Sequence, residues 1–167
     1  MEININTLKL VCFVISVTSL VWYGIYCLVT LKKISKTWSD TYYDLPKKKR
    51  KYFTFFTLGV SLPLLAFCYD PLAWIFFPAI LMMALVGGFA MFKEKWIGIY
   101  HVIFATGCGI LAMIGFMYHF KNFTPIILFV AVTGPAAVFI EKKWMGLVME
   151  TMAFISVLIG FSELLNL

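Results

Sequence analysis

Charged residues in this chain are confined to short intervals, and between them run apolar stretches long enough to cross a bilayer. A transmembrane helix needs about 20 consecutive, predominantly apolar residues. That criterion predicts spans at residues 8–31, 52–68, 71–92, 96–118, 125–140 and 144–161. The second and third are separated at Tyr69-Asp70-Pro71, where Asp suits a helix cap and Pro a first helical turn. The chain is 62% hydrophobic and 13% charged, with a mean hydropathy of +0.93. A soluble domain of this length exposes too much surface to hide so much apolar area, and a disordered chain is far more polar. The expected fold class is therefore all-α: a polytopic integral membrane protein with one domain over residues 1–167. Six transmembrane helices are arranged as three helical hairpins.

The net charge of +6 reports topology rather than nucleic-acid binding, because basic residues gather in cytoplasmic loops. Lys32, Lys33, Lys36, Lys47, Lys48, Lys49, Arg50, Lys51, Lys93, Lys95, Lys142 and Lys143 fall in the loops after spans one, three and five. Only Lys9 and Lys121 fall on the other side. This split predicts cytoplasmic loops at 32–51, 93–95 and 141–143 in a cell membrane, with the N- and C-termini on the non-cytoplasmic side. The first apolar run is too long for a signal-peptide core and no A-x-A site follows it, so it is expected to remain as a span. Cys12, Cys27, Cys68 and Cys108 lie inside apolar runs without CxxC spacing and are expected to act as small hydrophobes.

A short repeat links the later hairpins. Lys93-Glu94-Lys95-Trp96-Ile97-Gly98-Ile99 matches Glu141-Lys142-Lys143-Trp144-Met145-Gly146-Leu147. Duplication produces this pattern, and so does the independent need of tight turns for charge and interfacial Trp. Ala84/Gly88 and Ala105/Gly109, with Gly107, are small-residue faces where helices are expected to touch. Pro63, Pro78 and Gly134-Pro135 are expected to interrupt spans two, three and five. The loop over 32–51 is expected to be a solvated linker with an interfacial edge. Its run Lys47, Lys48, Lys49, Arg50 and Lys51 would then dock anionic lipid or a cytoplasmic partner.

An ionisable side chain within a span is costly enough to demand a reason. Glu150 lies six residues past Trp144 in span six, and His101 five past Trp96 in span four. The topology brings both in from the cytoplasmic side to similar depth, so a His101–Glu150 pair could carry a proton or hold a cation. Tyr100, Thr106 and Thr151 could complete a polar patch with them, or bond their own helices. Asp70 and His119 form a secondary polar pair on the outer side. With two candidates on each side, three close ligands for a catalytic zinc are not expected. No GxSxG, Walker or HExxH pattern occurs, and no lysine sits mid-span. No catalytic residue, metal or cofactor is assigned.

The expected function is a transporter or ion channel for a small solute, cation or proton, built on His101 and Glu150. Membrane lipids are expected partners, and a homo-oligomer or larger membrane complex is the expected assembly, since six small helices more easily enclose a path together. The alternatives are a non-catalytic subunit or adaptor docking a partner through its basic loop, and an intramembrane lipid hydrolase using the same acid–base pair.

Overall fold

The structure is a computed structural model describing residues 4–69, 74–89 and 95–165; the side chains of residues 89, 95–99, 101 and 119 fall outside that description. It is 86% helical, with no strand among the described residues. Helix α1 spans Ile5–Leu31, α2 Asp40–Asp44, α3 Lys51–Ser61, α4 Phe76–Phe89, α5 Lys95–His119, α6 Thr124–Phe139 and α7 Lys142–Glu163.

Three helical stretches are long and apolar enough to cross a bilayer: Ile5–Leu31, Lys47–Tyr69 and Lys142–Glu163. The apolar parts of α4, α5 and α6 are shorter. Surface and interior fit an apolar solvent. Val29, Val138 and Phe139 stand more than two-thirds exposed, while Ser16, Thr57 and Ser156 are wholly buried. In lipid, apolar side chains gain nothing by turning inward, and small hydroxyl residues pack between helices. The chain is an all-helical membrane protein.

Local chemistry sets the helix ends. Asn4 caps α1, its side chain accepting from Asn6 N at 3.0 Å, so α1 starts three residues before the expected span. It stops at Lys32, which turns left-handed (φ 53°) and donates its N–H to Leu28 O. Pro63 does interrupt the second stretch, by tightening it: after Ser61 the chain continues as a 3-10 helix over Leu62–Tyr69, because proline supplies no amide donor to the α-helical ladder. Pro78 does not interrupt α4. It lies two residues past the start at Phe76, within the first turn, where a missing N–H costs nothing. Pro135 lies inside α6, which continues to Phe139. Asp70 and Pro71, the expected restart, lie outside the described residues.

The most extensive packing is α4 on α5, α6 on α7, α3 on α4 and α1 on α3. The first two pairings match the two later hairpins of the sequence reading. The closest approach falls elsewhere than expected. Neither Gly88 nor Gly109 has a neighbour near the place a Cβ would occupy. At Gly87 a Cβ would lie 1.9 Å from Thr57 Oγ1, and the Gly87 carbonyl accepts from Thr54 Oγ1 at 3.3 Å. Gly107 is close as well, to Met82 Sδ.

Two buried clusters form the core. One joins Tyr23, Leu45, Phe53 and Phe56 beneath the loop between α1 and α3. The other joins Phe67, Phe76, Phe116 and Phe161. That loop corrects the sequence reading. It is a folded cap, with Ser35, Thr41, Tyr42 and Leu45 buried, because it carries enough aromatic and hydroxyl groups to satisfy itself against the bundle.

Gly87→Ala should therefore destabilise the fold by about 1–3 kcal/mol, the usual cost of overpacking. In the Thr57→Ala background the same substitution should cost much less. Thermal unfolding of the four proteins in one detergent checks both, and equal costs in the two backgrounds would contradict a Gly87–Thr57 contact.

Candidate functional site

Trp38 is the anchor of the cap. Its ring stacks on Phe56 at 5.5 Å and meets Phe154 edge-on at 6.1 Å. Its indole Nε1–H donates to Thr151 Oγ1 at 2.8 Å. Gly24 makes room for the far edge of the ring, since a Cβ there would lie 3.1 Å from it. Burying an indole against α3 and α7 carries the adjacent backbone to α7, where Glu150 projects.

The carboxylate of Glu150 meets the cap directly. Oε2 accepts from Trp38 N at 2.6 Å and from Ser39 N at 3.3 Å, and Oε1 accepts from Ser39 Oγ at 3.2 Å. Among the described residues no Lys, Arg or His pairs with it; the ion pairs are Lys33–Asp44 and Lys143–Glu141. A half-buried carboxyl group is thus held by amides and a hydroxyl, with no basic side chain among its described partners.

The cap is itself braced. Thr37 Oγ1 accepts from Asp40 N at 2.9 Å. The hydroxyls of Tyr23 and Thr41 share a 2.6 Å hydrogen bond, and Thr41 Oγ1 donates to Trp38 O. Gly146 admits Thr37: a Cβ at Gly146 would lie 2.6 Å from Thr37 Cγ2 and 3.4 Å from Lys36 O. On the outer face Asp44 accepts from Lys33 Nζ and Ser35 Oγ, each at 2.7 Å. The Lys33 bond, seconded by that of Ser35, holds the Asp44 carboxyl below the usual carboxylate range.

Behind Glu150 lies a partly open cavity of about 110 Å³. Trp38, Ser39 and Glu150 line one end, and Phe76, Ala112 and Phe161 belong to the other. It crosses the junction of the two core clusters. Thr57 and Ser61 add hydroxyls to its wall, but both donate to carbonyls of their own helix.

Of the residues singled out in the sequence, Glu150 and Thr151 come together here, joined by Trp38. Tyr100 is 49% exposed, and Thr106 too lies on the exposed surface of α5. Asp70 and the side chains of His101 and His119 lie outside the described residues. Lys47, Lys48, Lys49 and Lys51 are exposed. Arg50 is engaged: it donates to Leu45 O and Tyr43 O and lies over the Tyr42 ring at 5.4 Å. The sequence assigns no site role to Thr37, Trp38, Ser39 or Gly146; the signal it does carry is a loop that mixes Trp38, Tyr42 and Tyr43 with hydroxyl and acidic residues. The chain matches no protein-family model, no curated protein and no solved structure.

Gly146→Ala should push Thr37 aside and loosen the cap, read as faster proteolysis within residues 32–50; an unchanged cleavage rate would contradict the contact. The cap's acid response has a definite sign. Because folding lowers the Asp44 pKa, its contribution is present above the ordinary carboxylate range and is lost as pH falls through the lowered value. The Lys33–Asp44 pair is partly solvent-exposed, so the effect is small. The Asp44 part of any acid-induced acceleration of proteolysis should fall below the ordinary carboxylate range, and Asp44→Asn should flatten that part of the profile.

Proposed function

We propose that the chain crosses the membrane six times, with both termini on the non-cytoplasmic side, and moves a small cation, proton or solute through its interior by way of Glu150. The observation that carries this reading is a carboxylate on the wall of a partly open cavity, without a basic partner among the described residues and covered by a cap. The cap is a gate. While Trp38 and Ser39 hold the carboxylate, the cavity is covered from the lysine-rich side. Opening requires another partner, a cation or a proton, to replace those donors. Hydrogen bonds to a charged group are worth about 1.5–3 kcal/mol each, so the latch is strong enough to set a closed resting state and weak enough to yield to a bound cation. His101, on α5, is the proposed proton partner.

The six-crossing topology is supported by how the links meet α7. The cap lies against Gly146 and Glu150 near its start, whereas Asn122, in the link between α5 and α6, donates to Glu163 at its end. Lys9 lies over the Phe67 ring, toward the end of the second helical stretch. These positions agree with the division of basic residues in the sequence.

A second reading keeps one supporting observation: Lys47, Lys48, Lys49 and Lys51 are exposed on a folded platform, suited to a cytoplasmic partner or anionic lipid.

Reconstitution in proteoliposomes with an internal pH- or cation-sensitive dye separates the two. Transport predicts pH-dependent flux that falls at least about tenfold in Glu150→Gln, since a neutral amide neither carries a proton nor attracts a cation. Flux unaltered by Glu150→Gln would remove the proposal. Loss of cellular activity on neutralising the four exposed lysines, with Glu150→Gln harmless, would favour the adaptor.

A further inference from the structure

We infer that this cavity is a binding site for a linear alkylammonium ion, its ammonium at Glu150 and its chain directed toward Phe161. This rests on the reading of Glu150 as the substrate-binding group and adds the chemical class of the substrate.

The shape selects the chain. Glu150 and Phe161 are eleven residues apart on α7, about 16 Å at 1.5 Å per residue. A volume of about 110 Å³ distributed over that length is slender. It accommodates an extended alkyl chain better than a compact ring system; a dry apolar cavity that does hold benzene has about 150 Å³ in one piece. The walls beyond Glu150 are Val60, Leu64, Ala79, Ile80 and Ala112, with no basic side chain among the described lining residues.

The head group follows from the charge. Glu150 brings its carboxyl group to one end of the cavity, and its partners among the described residues are N–H and O–H donors, none of them a cation. An ammonium supplies both hydrogen-bond donors and the missing positive charge. An anionic amphiphile such as a fatty acid would set two carboxylates together, and a bulky cation would not follow the chain into the slot.

The test uses the full chain in lipid nanodiscs, titrated calorimetrically with n-hexylammonium and with n-hexanol, empty nanodiscs supplying the partitioning background. Saturable binding of n-hexylammonium is expected, with n-hexanol at least about tenfold weaker, the scale of one charge-assisted contact. Glu150→Gln should erase that difference. Affinity across an n-alkylammonium series should rise with chain length and then level off. Ala112→Leu should bring the levelling to shorter chains, and the series on the unaltered protein stands even if that variant does not fold. Equal binding of amine and alcohol, a preference unaltered by Glu150→Gln, or no saturable binding of either ligand would overturn the inference. Glu150-dependent proton flux without alkylammonium binding would overturn it while sparing the transport reading. Alkylammonium binding without any flux would support it and sink transport.

Discussion

A carboxylate placed among apolar helices needs donors, and the conformation of the segment between α1 and α3 follows from that need. Glu150 sits on a helix whose neighbouring residues offer nothing to satisfy it. The donors come from a segment more than a hundred residues earlier, and backbone amides can reach the carboxylate only if the chain bends over the end of the bundle. Trp38 fixes that bend by burying its ring on Phe56 and Phe154. Polar satisfaction and apolar burial therefore act on one residue at once, the amide of Trp38 on Glu150 and its indole on Thr151 and the aromatic cluster.

The same two requirements produce a hollow. Where the cap meets the bundle, two core clusters lie end to end, each filled by its own aromatic side chains. Small residues such as Ala112 and Gly109 line the junction and leave it incompletely filled. A charge at one end of an apolar hollow is an arrangement that stability alone does not favour.

Several helices were legible in the sequence because the signal is coarse. An apolar run between charges leaves few alternatives to a helix in lipid, since only there are all backbone groups satisfied within one segment. Hence α5, α6 and α7 begin and end within a few residues of the expected spans. Glu150 was legible for the converse reason, as a charge in an apolar run. Contacts between distant residues were not. Ala84/Gly88 and Ala105/Gly109 fit a spacing rule, yet the closest crossing is at Gly87, because rotation of a helix about its axis decides which small residue meets a neighbour. Pro78 appeared as a break, but its effect depends on where the helix starts.

The sequence by itself determined that the chain is helical and membrane-bound, where most of its helices run, and that Glu150 demands a partner. These follow from the cost of exposing polar groups to lipid, which depends on composition along a single segment. Only the tertiary structure decided who the partner is, that residues 32–50 fold as a cap instead of trailing in water, and that a slender cavity lies behind the carboxylate. Such facts depend on the packing of surfaces remote in sequence, where a shift of one residue around a helix exchanges one neighbour for another and leaves the hydropathy pattern unchanged.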